Sequence, residues 1–161
     1  MNDTLLLGFG NPDRQDDGIA WHILQALSTK LGLPSPDSYE DEFPENERLD
    51  LLFTLQLTPE MAEDISRYRR VVFVDAHTGE IPDPIRMDEV QSEFQRSPFT
   101  HHLTPQSLLA MCETLYKHRP LCTLLSARGY RFGFARELSA ESDALVPIAV
   151  RLVQDWLATT A

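Results

Sequence analysis

Leu5-Leu6-Leu7-Gly8-Phe9-Gly10-Asn11-Pro12-Asp13-Arg14-Gln15-Asp16-Asp17-Gly18 is the stretch that decides the fold. Its apolar start reads as a short buried strand and its glycines as a sharp turn, which sets Asp16 and Asp17 at the mouth of a helix. In an open α/β sheet, sites form at the carboxyl ends of strands. Two carboxylates placed there point to a metal site or to acid–base chemistry. As a phosphate cradle the turn fails. The dinucleotide fingerprint wants a third glycine where Asp13 stands, no Gly-Lys-Ser/Thr occurs, and Asp13, Asp16 and Asp17 would repel phosphate. A plainer role for Asp16 or Asp17 is to cap the helix, which requires only one of them.

Working outward, the chain reads as alternating strands and helices. The first strand runs from Thr4 to Phe9 and a helix from Asp17 to Lys30. Ile19, Ile23 and Leu27 stand four apart there and, with Ala20, Leu24 and Leu31, make one apolar stripe that Gly32 and Pro34 stop. Leu51 to Leu57 reads as a second strand. Thr58-Pro59 opens a helix to Tyr68, a hydroxyl cap followed by proline at the first helical position. Val71-Val72-Phe73-Val74 is a continuous apolar run, as in a central parallel strand covered on both faces, and ends at Asp75. Ile85 to Val90 reads as a strand at an edge. Thr104-Pro105 repeats the helix start, with Leu108, Leu109, Cys112 and Leu115 as the apolar face. Leu121 to Leu125 is another buried strand, and Arg128 to Leu138 a glycine- and aromatic-rich loop or short hairpin. Ser139 opens a final helix to Leu157, kinked near Pro147. The pattern predicts an α/β class: a single domain over 1–161, with a twisted, mostly parallel sheet of about five strands and helices on both faces.

The charge balance narrows the partners. The net charge of -11 over 161 residues argues against nucleic acid, whose phosphates demand a basic face, and against anionic membrane surfaces. No apolar stretch approaches a membrane span. Met1-Asn2-Asp3-Thr4 lacks the basic flank of a signal peptide, and two cysteines without a CxxC pattern suit a reducing cytoplasm. Between Pro36 and Asp50, seven acidic residues face a single Arg48. Such a run is usually a solvated loop, the reading preferred here; the alternative is a docking patch for a basic partner.

Three separated polar residues fall at equivalent ends of the predicted fold: Asp17 after the first strand, Asp75 at the end of the Val-Val-Phe-Val strand, and His101 ahead of the Thr104-Pro105 helix. Two carboxylates and an imidazole make a mixed oxygen–nitrogen site for a divalent transition metal, with positions left open for water or a substrate donor. Each residue alone has a plain alternative: Asp75 as a turn cap, His101 as an exposed loop histidine. His77 and His102 are rival ligands. Asp75 and His77 share a face if the strand continues. Nucleophilic catalysis finds less support, since no Gly-x-Ser-x-Gly elbow occurs and Cys112 and Cys122 both fall on core positions.

Gly8-Phe9-Gly10-Asn11 with Asp16-Asp17-Gly18-Ile19-Ala20 resembles the N-terminal signature of the hydrogenase maturation endopeptidases. Val71 to Ala76 resembles that family's second acidic segment and His101-His102-Leu103-Thr104-Pro105, with Leu108-Leu109, its histidine segment. Gly129-Tyr130-Arg131-Phe132 and Glu137-Leu138-Ser139 are similar to its C-terminal part, so the resemblance runs in order along most of the chain. It implies a cytoplasmic protease that removes a C-terminal extension from the large-subunit precursor of a nickel–iron hydrogenase. It also implies Asp17, Asp75 and His101 as residues that complete the coordination of nickel already held by substrate cysteines, so the free enzyme need hold no metal. His101 is preferred to His102 because the spacing to Leu103, Leu108 and Leu109 then matches. Asp16 is a candidate base by proximity. The chain departs from the family where glutamate often stands in place of Asp17. It departs again at Leu55-Gln56-Leu57, where some members carry Gly-Gly-Thr. Two rivals remain: a non-catalytic docking or assembly chaperone for a hydrogenase subunit, and a Rossmann-like nucleotide-binding module.

Overall fold

The computed structural model describes residues 2–94 and 102–159. Five strands form one sheet: β1 (Thr4–Phe9), β2 (Asp50–Thr54), β3 (Arg70–His77), β4 (Ile85–Glu89) and β5 (Leu121–Arg128), in the order β2-β1-β3-β5-β4. The first four in that order run parallel, and β4 lies antiparallel to β5 at the far edge. The helices are α1 (Ile19–Lys30), α2 (Met61–Ile65), α3 (Pro105–Tyr116), α4 (Ala140–Asp143) and α5 (Val146–Thr159). This is the α/β class expected from the alternation.

Successive side chains of a strand point to opposite faces, so each central strand feeds two cores. Leu6, Val72 and Val74 meet Ile23 and Leu24 of α1 and Ala149 and Val153 of α5. Leu5, Leu7, Val71 and Phe73 meet Ile65 of α2 and Leu108 and Leu109 of α3. With helices on both faces, these strands need no polar side, which explains the unbroken apolar runs.

The chain leaves β1 through α1 to reach β2 on one side, then crosses by α2 on the opposite face to β3 on the other. The strand order therefore reverses between β1 and β3. At such a reversal the two connections diverge and leave a crevice at the carboxyl ends.

Several boundaries differ from expectation, each for a local reason. The second strand stops at Thr54, and the hydroxyl of Thr54 turns back to donate to the Gln56 carbonyl. The helix expected from Thr58 to Tyr68 is only Met61–Ile65. Thr58 and Pro59 start a tight turn through Met61 N–H to Thr58 O and Ala62 N–H to Pro59 O. β3 continues two residues past Asp75, paired with Ser126 through Arg128 of an equally prolonged β5. Leu115 is 64 % exposed and does not join the α3 core face. The expected kink at Pro147 is a full break: Ser139 caps α4, and a new helix opens at Val146 with the proline in its first turn, where no N–H is needed. Thr104 does cap α3, its hydroxyl accepting from Ser107 N–H at 3.1 Å.

The turn after β1 depends on two glycines. Gly10 has φ +139°, which L side chains avoid, and a Cβ there would run into the Asp17 carbonyl oxygen. A Cβ on Gly18 would collide with Pro12, backbone included. Gly18→Ala should therefore cost about 1–3 kcal/mol, measured as a lower urea midpoint. An unchanged midpoint would show that this turn packs less closely than described.

Candidate active site

Asp17 does not begin α1. It sits in a 3-10 turn, Gln15–Gly18, that precedes the helix, and neither Asp16 nor Asp17 caps a helix through its side chain. Asp17 instead turns back over the loop: its Oδ2 accepts from Asn11 N–H at 2.9 Å. Asp75 lies across the crevice on β3, its Oδ1 accepting from Ala76 N–H at 2.8 Å. No hydrogen bond among the described residues engages Asp17 Oδ1 or Asp75 Oδ2. Both residues are half-buried.

The two carboxylates feel each other. Burial pushes the Asp75 carboxyl up to about 8. The Ala76 N–H opposes this, and the negative charges of Asp17 and Glu80 add to it. A crowded pair of this kind has two uses: to hold a shared cation, or to keep one carboxyl protonated at neutral pH as a proton donor.

Asp16 has a different part. It is buried, and four donors saturate it: Tyr130 N–H at 2.8 Å, Arg131 N–H at 2.9 Å, Ser139 N–H at 2.8 Å and the Ser139 hydroxyl at 2.6 Å. Burial alone would raise its carboxyl, but the Ser139 hydroxyl and the three backbone N–H groups together hold it below the ordinary carboxylate range. Asp16 is thus neither a helix cap nor a placed base. It ties the loop 129–139 to the turn beside Asp17. Gln15 N–H to Ala135 O, at 2.9 Å, and Asp16 N–H to Arg131 O, at 3.1 Å, complete the seam.

Of the histidines, His101 lies outside the described residues. His102 is exposed ahead of α3. His77 is buried, with Nδ1 accepting from Gly79 N–H at 3.0 Å and Nε2 3.0 Å from the Asp83 carbonyl oxygen. Both its ring nitrogens are engaged in the loop after β3, so the rival ligand is a loop anchor. Among the described residues, no group of three His, Cys, Asp or Glu side chains is placed to hold a metal. The described part of the expected triad is the carboxylate pair. Cys112 and Cys122 are free, buried thiols that burial pushes up to about 11 and about 12, which suits core residues and not nucleophiles.

Residue-by-residue reading missed three members of this neighbourhood. Ser139 is a helix cap by sequence, and the two hydrogen bonds that it donates to Asp16 have no local signal at a separation of 123 residues. Asp13 accepts from Tyr39 Oη at 2.6 Å and from Arg136 Nε at 2.6 Å, joining three loops. Phe134, 95 % exposed, stands at the tip of the same loop with Arg14 over its ring.

No protein-family model and no curated protein sequence matches the chain. Solved structures do. The hydrogenase maturating endopeptidase HybD from E. coli superposes with a TM-score of 0.72 at 16 % identity, over 100 % of this chain and 94 % of that one. The hydrogenase maturation protease HycI from Thermococcus kodakarensis gives 0.68 at 15 %, over 98 % and 94 %. A hydrogenase 2 maturation peptidase from a Thaumarchaeota archaeon gives 0.63 at 20 %, over 97 % and 98 %. The chain has the fold of these proteases from end to end.

Two outcomes follow from the carboxylates. In a ¹³C titration of the metal-free protein, the Asp75 carboxyl should titrate near about 8, and Asp17→Asn should lower that value by removing a neighbouring negative charge. Because the folded value is raised from 3.8, the native state keeps a proton that the unfolded chain releases. This contribution to stability therefore declines as pH rises from 3.8 towards about 8. The Asp16 contribution has the opposite sign: present at neutral pH, it is lost as pH falls below 3.8 through the depressed folded value. Asp16→Ala should cost about 3 kcal/mol, with unpaired N–H groups left behind, and lower Tm by about 6–12 °C in calorimetry.

Proposed function

We propose that this protein is an endopeptidase that removes a C-terminal extension from the large-subunit precursor of a nickel–iron hydrogenase. The reading is supported by the charge interaction of Asp17 with Asp75 beside the strand-order reversal, on a fold shared over its length with hydrogenase maturation proteases.

The nickel belongs to the substrate in this reading. Asp17 and Asp75 offer it two hard oxygen donors, and His101 a third donor of borderline softness. The crowded pair suits the purpose. A cation between the carboxylates relieves their repulsion and displaces the proton that burial keeps on Asp75. Binding is then strongest to a precursor whose metal is already in place, which makes metal insertion the condition for cleavage. Once docked, the scissile peptide is held against the crevice, and positioning of this kind supplies several kcal/mol of the barrier. The cytoplasm, where hydrogenase subunits would be processed before assembly, is the setting that this reading requires.

The test is cleavage of a nickel-loaded large-subunit precursor by the purified protein, read by intact mass beside a nickel-free control. Loss of a C-terminal peptide from the loaded form alone supports the proposal. Cleavage of both forms removes nickel as the recognition element. Cleavage of neither overturns the protease reading and favours a docking or chaperone role. Asp17→Ala, Asp75→Ala and His101→Ala should each reduce processing by a factor of about 100 or more while circular dichroism stays unchanged. Full activity in His101→Ala would transfer its role to another histidine.

A further inference from the structure

β2 is an edge strand. β1 covers one side of it, and among the described residues no other strand pairs with it. The Thr54 carbonyl accepts from Gly10 N–H on the β1 side. In a parallel strand the N–H and C=O of one residue point the same way and alternate along the strand. Asp50, Leu52 and Thr54 therefore face β1, and the backbone groups of Leu51 and Phe53 face outward. No hydrogen bond among the described residues uses those outward groups.

A groove of about 580 Å³ follows this edge. One wall is the acidic segment from Tyr39 to Asn46, and the other is Asp64 of α2 with Tyr68 beyond the helix. The first wall is fixed in place. Trp21 of α1 packs on Phe43 at 5.3 Å and on Phe53 at 5.5 Å, Tyr39 meets Phe53 at 6.1 Å, and the Tyr39 hydroxyl is held by Asp13. Glu40, Asp41, Glu42, Glu45, Asp50 and Asp64 line the groove, and among the described residues no Lys, Arg or His does. Asp50 and Asp64 have partners, in Tyr68 and Arg67. Among the described residues, Glu40, Asp41, Glu42 and Glu45 are in no ion pair.

We infer that this groove takes an extended, basic peptide segment of a partner protein, added as a sixth strand along the outer edge of β2. The open N–H and C=O groups of Leu51 and Phe53 supply the main-chain pairing, the aromatic floor receives apolar side chains, and the carboxylates select lysine and arginine. The route is continuous with the carboxylate crevice. A segment leaving the groove at Thr54 stands beside Gly10, at the start of the turn that holds Asp17. A strand outside β2 lies two strand spacings from β1, about 10 Å, which about three extended residues span. The destination of that segment rests on the processing reading above; the docking itself does not. The competing role for the carboxylates is to guard a bare edge against self-pairing, and it predicts no peptide binding.

The test uses the full chain and two labelled peptides of about nine residues, one alternating lysine with valine and the other glutamate with valine. Fluorescence anisotropy and amide exchange are the readouts. The lysine peptide should bind, slow exchange at Leu51 and Phe53, and weaken at least about fivefold between about 50 and 500 mM salt. The glutamate peptide should not bind. The exposed rim variant Glu40→Gln/Glu42→Gln/Glu45→Gln should weaken binding about tenfold, and Leu51→Pro, a substitution an edge strand tolerates, should abolish it. Equal binding of both peptides, binding of neither, or full affinity in the rim variant overturns the proposal. Since cleavage is not read here, precursor processing with no peptide binding sinks the docking groove alone. Peptide binding with no processing sinks the protease reading alone.

Discussion

Asp16 makes four hydrogen bonds inside the protein, and the shape of the crevice depends on them. Its carboxylate is buried at the point where the turn after β1 meets the loop after β5, and among the described residues it is in no ion pair. A buried carboxylate is tolerated only when its lone pairs are filled, and here backbone N–H groups and one hydroxyl fill them. The neighbouring Asp17 is thereby freed from structural duty on that side. Asp16 holds the architecture, and Asp17 keeps Oδ1 out of any hydrogen bond among the described residues.

The remaining features lean on the same turn. Gly10 and Gly18 let the backbone close over Pro12 and Asp17. Asp13 carries the turn's outer surface to Tyr39 and Arg136, which ties the acidic segment, the first turn and the loop after β5 together. The sheet supplies what the loops do not: its reversal between β1 and β3 brings Asp17 near enough to Asp75 for its charge to be felt there.

Much of this was legible in the residues. Apolar runs at Leu5–Leu7 and Val71–Val74 announced central parallel strands because both of their faces are covered. The carboxyl ends of those strands marked Asp17 and Asp75, since in this class of sheet the position of a polar residue after a strand is itself informative. What stayed illegible was set by distant contacts. Nothing near Asp16 foretells Ser139, and a capping motif read locally was the wrong account of an acid whose donors all come from the far end of the chain. The Thr58-Pro59 start was genuine turn chemistry, but too few apolar residues follow it to hold a long helix, and α2 stops after five residues. His77 shares a strand face with Asp75 as alternation requires. Its ring was nevertheless claimed by Gly79 and Asp83, in a loop whose path no periodicity describes.

The contact between Asp16 and Ser139 also has a meaning in time. It spans 123 residues, so during synthesis the crevice stays unfinished until Ser139 has emerged. Long-range closures of this kind come late in folding, because the entropy of the intervening chain must be overcome before the contact gives anything back. A nascent or truncated chain would carry both site carboxylates yet lack the clasp that shapes the ground around them.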